Sequence, residues 1–229
     1  MKQLLLLLFP WILFAQVGLD RAQKMLDNKQ YAQAKPVLQT LLKSDPYNVV
    51  VIAALGDVAG YYKAWPEAID YYKRAKNLRP NVADYHYKYG GATGMHALEV
   101  NKFKALGMIE EIKTSFEKAI ALNPKHIDAR WALIELYLKL PRIVGGSEVK
   151  AIQYSKELAA ITAVDGYMSR GRIEEYYQRY KTAEIAYKNA VVASNNSVKS
   201  CQMLASLYKN KMNEPAKAAS ILEQIKTNN

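Results

Sequence analysis

The sequence predicts an all-α chain of about six helix-turn-helix units. Three observations carry this. Pro46 and Pro80 lie 34 residues apart and close similar phrases, which is the mark of a repeat. Between the prolines, large apolar residues recur at helical spacing. The 229 residues are half hydrophobic and hold only 8 prolines and 11 glycines without a low-complexity run, so the chain is expected to fold.

The chain opens MKQLLLLLFPWILFAQ. Lys2 precedes an apolar run from Leu4 to Ala15, broken by Pro10. A bilayer-spanning helix needs about 20 apolar residues, so this run is too short to span. It fits a signal peptide over residues 1–15, with Ala15 as the small residue before the cut and Gln16 as the mature start. The other reading is an uncleaved N-terminal anchor. Residues 16–229 then form the repeat domain.

The first unit, about 17–46, carries Tyr31-Ala32-Gln33-Ala34, Leu38, Leu41 and Asp45-Pro46. The second, 48–80, carries Trp65-Pro66-Glu67-Ala68, Tyr72, Ala75 and Arg79-Pro80. The third, 82–124, ends on Phe116, Ala119, Leu122 and Asn123-Pro124. A weaker fourth unit covers 126–163. The fifth, 164–195, repeats the phrase as Tyr180-Lys181-Thr182-Ala183, Tyr187 and Ala190, and a weaker sixth covers 197–227. Gly56, Gly90 and Gly171 fall early in the first helices of their units. Small residues belong where two antiparallel helices touch, and proline stops the second helix. One such unit cannot bury its apolar face alone, so several must stack.

These residues resemble the tetratricopeptide-repeat (TPR) family over essentially the whole mature chain. The resemblance implies an α-solenoid wound as a right-handed superhelix. A stretch of about 85–155, with the Phe116 to Pro124 phrase, Ala129-Arg130, Tyr137, Pro141 and Gly145-Gly146-Ser147, is similar to a subgroup of exported bacterial TPR proteins. That implies a periplasmic or secreted location.

Two departures stand out. The third unit is ten residues too long, with the excess around Gly90-Gly91-Ala92-Thr93-Gly94 and Leu98 to Leu106. Its helical composition predicts lengthened helices, and its glycines a smooth face for a close neighbour. A phosphate-binding loop would need a preceding strand and a lysine-serine or lysine-threonine ending, and neither is present. The fourth unit carries Leu140 to Ser147 between its helices. Pro141 ends the first helix, Ser147 caps the second, and Ile143 and Val144 are expected to tuck into the fold. This loop reads equally as a packed connector or a contact site.

Cys201 is the only cysteine, so no internal disulfide and no cysteine cluster can form. It reads as a small core residue. His86, His96 and His126 show no metal spacing, and no nucleophile motif occurs. The expectation is a protein that is not an enzyme and uses no cofactor or metal. An unrecognised hydrolase is the third-ranked reading.

The formal net charge of +11 suggests acidic partners, while export disfavours nucleic acid. The lysines are scattered, as on a solvated outer face. The family's register places Asp57, Tyr61, Tyr87, Trp131, Glu135, Met168, Arg172, Tyr176, Gln202 and Lys209 on the concave side, where aromatic and arginine side chains would anchor a protein or peptide. The lysine-asparagine clamp of chaperone-tail receptors is not matched, because Leu19, Gln23, Ala53 and Asp57 occupy its places. The leading expectation is an exported protein-binding scaffold. The alternative is an envelope subunit that holds anionic lipid or polymer through its basic surface.

Overall fold

The computed structural model describes residues 9–226, all of whose regular structure is helical. The expected signal segment lies partly outside the described residues. Twelve α-helices follow in pairs: α1 (Phe9–Asp27) with α2 (Tyr31–Ser44), α3 (Val49–Tyr61) with α4 (Trp65–Leu78), and α5 (Ala83–Ala97) with α6 (Lys102–Leu122). The later pairs are α7 (Ile127–Lys139) with α8 (Glu148–Ile161), α9 (Ala163–Tyr176) with α10 (Tyr180–Ala193), and α11 (Val198–Asn210) with α12 (Pro215–Lys226). The chain divides into two compact units, Met1–Leu122 and Asn123–Asn229.

Polar residues start several first helices. The side chains of Asn48, His126, Thr162 and Ser197 accept the backbone N–H three residues on, which satisfies one open donor of the helix end. The turn inside a pair is equally regular. Lys29, Lys63 and Gln178 adopt φ of 58°, 57° and 60°, and the next residue's N–H returns to the carbonyl of Met25, Ala59 or Glu174. This is a left-handed C-cap that reverses the chain within three residues.

Within a pair, the two helices meet through a small residue on one and a large one on the other. A Cβ at Gly56 would lie 2.5 Å from the Tyr72 ring, and one at Gly171 would lie 2.4 Å from the Tyr187 ring. At Gly90 it would lie 2.9 Å from Ser115 Cβ and 3.0 Å from the Phe116 ring. In the fourth pair the sizes are exchanged: by register Ile134 takes the glycine place and Ser155 the aromatic place, and both are buried.

In the first unit the core runs from Ala22, Ala34 and Leu38 through Leu55 and Val58 to Tyr72 and Tyr89. In the second it gathers Tyr187, Val191, Cys201, Leu204, Leu207 and Tyr208. Cys201 is fully buried there, and burial pushes its thiol pKa up.

The long third pair keeps its excess as helix. α6 has 21 residues against 14 in α4, and α5 has 15 against 13 in α3. The smooth glycine face holds only at Gly90. A Cβ at Gly94 makes an ordinary contact with Ile112, and one at Gly91 meets nothing.

The 140–147 segment requires a correction. Ile143 does not tuck in; it is 93% exposed. A 3-10 turn at Arg142–Val144, closed by Gly145 at φ 103°, turns the side chain outward. The backbone is what packs: Gly146 N–H donates to Pro141, Ser147 N–H donates to Tyr137, and a Cβ at Gly146 would lie 1.9 Å from the Leu140 carbonyl oxygen. Ser147 does cap α8, accepting from Lys150.

Candidate partner-binding face

First helices of neighbouring pairs touch in the second unit, α7 against α9 and α9 against α11. Together they present one face. Trp131 on α7 donates its indole N–H to Asp165 on α9 at 2.8 Å, and the Lys199 ammonium on α11 sits 5.7 Å from the Trp131 ring. One turn along, Arg172 on α9 makes two hydrogen bonds to Glu135 on α7, at 2.7 and 3.1 Å. Burial works against the Arg172 charge, but the hydrogen bond and charge of Glu135, with Glu175 nearby, outweigh it and raise the pKa. Two parallel bonds fix the guanidinium plane, so this part of the face is preorganised.

Beside that pair lies an open hollow of about 350 Å³, lined by Arg172, Glu175, Tyr187, Lys199, Gln202, Met203 and Ser206. Its floor is Tyr187, whose hydroxyl donates to Glu175 at 2.9 Å. Burial first, then the Glu175 charge, pushes the phenol pKa well above its ordinary range. The floor is therefore a neutral donor throughout the physiological range. Charges of both signs rim the hollow.

Met168 is corrected: it is 3% exposed and belongs to the core, not to a surface. Tyr176 is 40% exposed, with Arg172 5.9 Å from its ring centre, and Lys209 and Gln202 are exposed. In the first unit, Asp57 accepts from Tyr72 at 2.8 Å and pairs with Lys88 at 2.6 Å. Tyr61 is half exposed and stacks on Tyr31 at 3.8 Å. Tyr87 is half-buried, its ring 5.9 Å from Phe116.

Sequence reasoning missed Asp165, Lys199 and Glu175. A signal was present: Trp131 and Asp165 are 34 residues apart, as are Trp65 and Glu99, whose side chains also hydrogen-bond, at 2.7 Å. No group of three or more metal-ligating side chains occurs among the described residues.

The family model described as tetratricopeptide repeat matches residues 103–126, which lie in α6 and the turn after it. With the repeated glycine-aromatic contacts, this settles the architecture. The chain has the tetratricopeptide-repeat fold. Solved structures agree. PilW, described as a widely conserved type IV pilus biogenesis factor, superposes with a TM-score of 0.66 at 17% identity, over 94% of this chain and 93% of that one. A thermophilic TPR protein of Thermus thermophilus gives 0.65 at 14% identity, over 91% and 98%. The pilF protein of Pseudomonas aeruginosa gives 0.62 at 18%, over 93% and 90%. No curated protein matches the chain. At these identities the likeness is one of fold.

Proposed function

We propose that this TPR chain is an exported, non-catalytic scaffold that binds an extended segment or a helix of a partner protein across α7, α9 and α11. The single observation that carries this is the α7–α9–α11 face itself. An aromatic ring, a clamped arginine, a lysine and a tyrosine-floored hollow lie side by side on three rigid helices. Tryptophan, tyrosine and arginine dominate the energetics of protein interfaces. Donors and acceptors alternate there, which suits a peptide backbone with mixed side chains better than a uniformly acidic ligand. The likeness to PilW and pilF supports a scaffold in the general sense, and the face's own chemistry sets the partner class.

Export rests on the Lys2 and Leu4 to Ala15 pattern. The protein recovered from its source is expected to begin at Gln16; a chain that retains Met1 removes the cleaved-signal reading.

Binding is tested by affinity capture with the wild-type chain and with Trp131→Ala and Arg172→Ala, each checked for an unchanged helical signal. The proposal expects a protein species retained by wild type and reduced at least about ten-fold by either variant, the loss of one interface anchor. Equal retention by all three chains overturns it.

A further inference from the structure

The residues that lengthen the third pair leave several large side chains at the surface. Gly90 and Phe116 are 26 positions apart, whereas Gly56 and Tyr72, and Gly171 and Tyr187, are 16 apart. Most of the excess is the first seven residues of α6, which carry the hairpin roughly 10 Å beyond the length of α4 at 1.5 Å per residue. The end of this hairpin is apolar and bare. Phe103 is 89% exposed, Leu98 67%, Leu106 44% and Met95 43%.

On the α6 side of the tip the charge is basic. Lys102 and Lys104 flank Phe103, and no acidic residue occurs from Val100 to Ile109. Of the nearest carboxylates, Glu110 pairs with Lys113, and Glu99, an exposed anion beside Leu98, is held toward α4 by the Trp65 indole N–H. Asn101 accepts the Lys104 N–H and so fixes the start of α6, which keeps Phe103 at the tip.

We propose that this tip docks on the surface of an anionic bilayer. Phe103, Leu98 and Leu106 would enter the headgroup boundary, and Lys102 and Lys104 would meet lipid phosphates with their stems along the apolar surface. The pattern of aromatic and leucine on one side with lysine beside them is that of interfacial helices. Charge selects the occupant: Lys102 and Lys104 beside Phe103 suit an anionic surface that yields to an apolar tip. No helix among the described residues is long and apolar enough to cross a membrane. This inference is independent of the α7–α9–α11 face and holds whether or not that face binds a partner.

The test uses the full chain with Cys201→Ser and Phe103→Cys, labelled at position 103 with an environment-sensitive fluorophore. A label at Val192→Cys, an exposed site on α10 of the other unit, is the control. Vesicles contain phosphatidylcholine with or without about a third phosphatidylglycerol. The proposal expects a blue shift and a rise of about three-fold at position 103 with anionic vesicles only, and none at 192. Lys102→Glu with Lys104→Glu should raise the half-saturating lipid concentration at least about ten-fold, since each lysine near such a surface contributes about 1 kcal/mol. The proposal is overturned by a water-like signal at 103 at every lipid concentration. An equal response to neutral vesicles overturns it too. So does a rise that follows protein concentration without lipid, which would mark a second copy as the occupant.

Discussion

The Tyr187 ring lies across Gly171 so closely that a single added methyl would sit 2.4 Å from its Cδ1 and Cε1. Tyr187 is 1% exposed and its hydroxyl is held by Glu175, so the ring has little room to withdraw. The same relationship joins Gly56 to Tyr72, which is held by Asp57. The closeness of each helix pair is therefore set by what the glycine lacks.

Two glycine substitutions should move stability in opposite directions. Alanine gains about 1 kcal/mol over glycine in a helix interior. At Gly91, where a Cβ meets nothing, Gly91→Ala should stabilise by about 0.5–1 kcal/mol. At Gly171 the overlap outweighs that gain, and Gly171→Ala should destabilise by about 1–2 kcal/mol. Urea denaturation midpoints decide it. A stabilised Gly171→Ala would mean that the helices do not approach as described.

Alkaline titration should separate buried from exposed phenols. Tyr72 and Tyr187 are pushed well above the ordinary value of 10.0, first by burial and then by the Asp57 and Glu175 charges. Tyr89 is raised first by burial and then by its hydrogen bond to Glu111. A raised folded pKa means the folded chain holds a proton that the unfolded chain gives up. This contribution is fully present below pH 10 and is lost as pH rises toward the folded values. Of the 17 tyrosines, these three should ionise only as the helical signal is lost. Tyrosinate absorbance that completes before unfolding would contradict it.

The 140–147 segment should depend on its backbone and not on its apolar side chain. Ile143→Ser should change stability by less than about 0.5 kcal/mol, because the side chain is almost fully solvated. Gly146→Ala forces a Cβ against the Leu140 carbonyl and should cost about 2 kcal/mol. Thermal melts of the two variants check the contrast. A costly Ile143→Ser would restore the buried reading.

Much of the fold was legible because its devices are short-range. A glycine, an aromatic and a proline in fixed order mark the second and third pairs; the fifth keeps the glycine and the aromatic, and the first keeps the proline. The excess of the third unit could be read as helix from its composition. The fate of Ile143 could not, because a 3-10 turn closed by a left-handed glycine decides direction without changing the apolar pattern. Met168 failed for a related reason: its register is that of Trp131, but α9 turns that position into the core. The site was half legible. Trp131 and Arg172 stood out by type, whereas Asp165, Glu175 and Lys199 look like ordinary surface charges until the helices bring them together. The exposed Phe103 was hidden altogether, since nothing local distinguishes a bare aromatic from a buried one.

Crosslinking inside the native cell shows whether α7, α9 and α11 form the partner-binding face. A photoreactive amino acid is placed at Gln202 in the hollow, and at Val192 on the outer side of α10. The expected result is an adduct with one protein species from position 202, lost when Trp131→Ala is added, and none from position 192. No adduct at 202, or the same adduct from both positions, would contradict it.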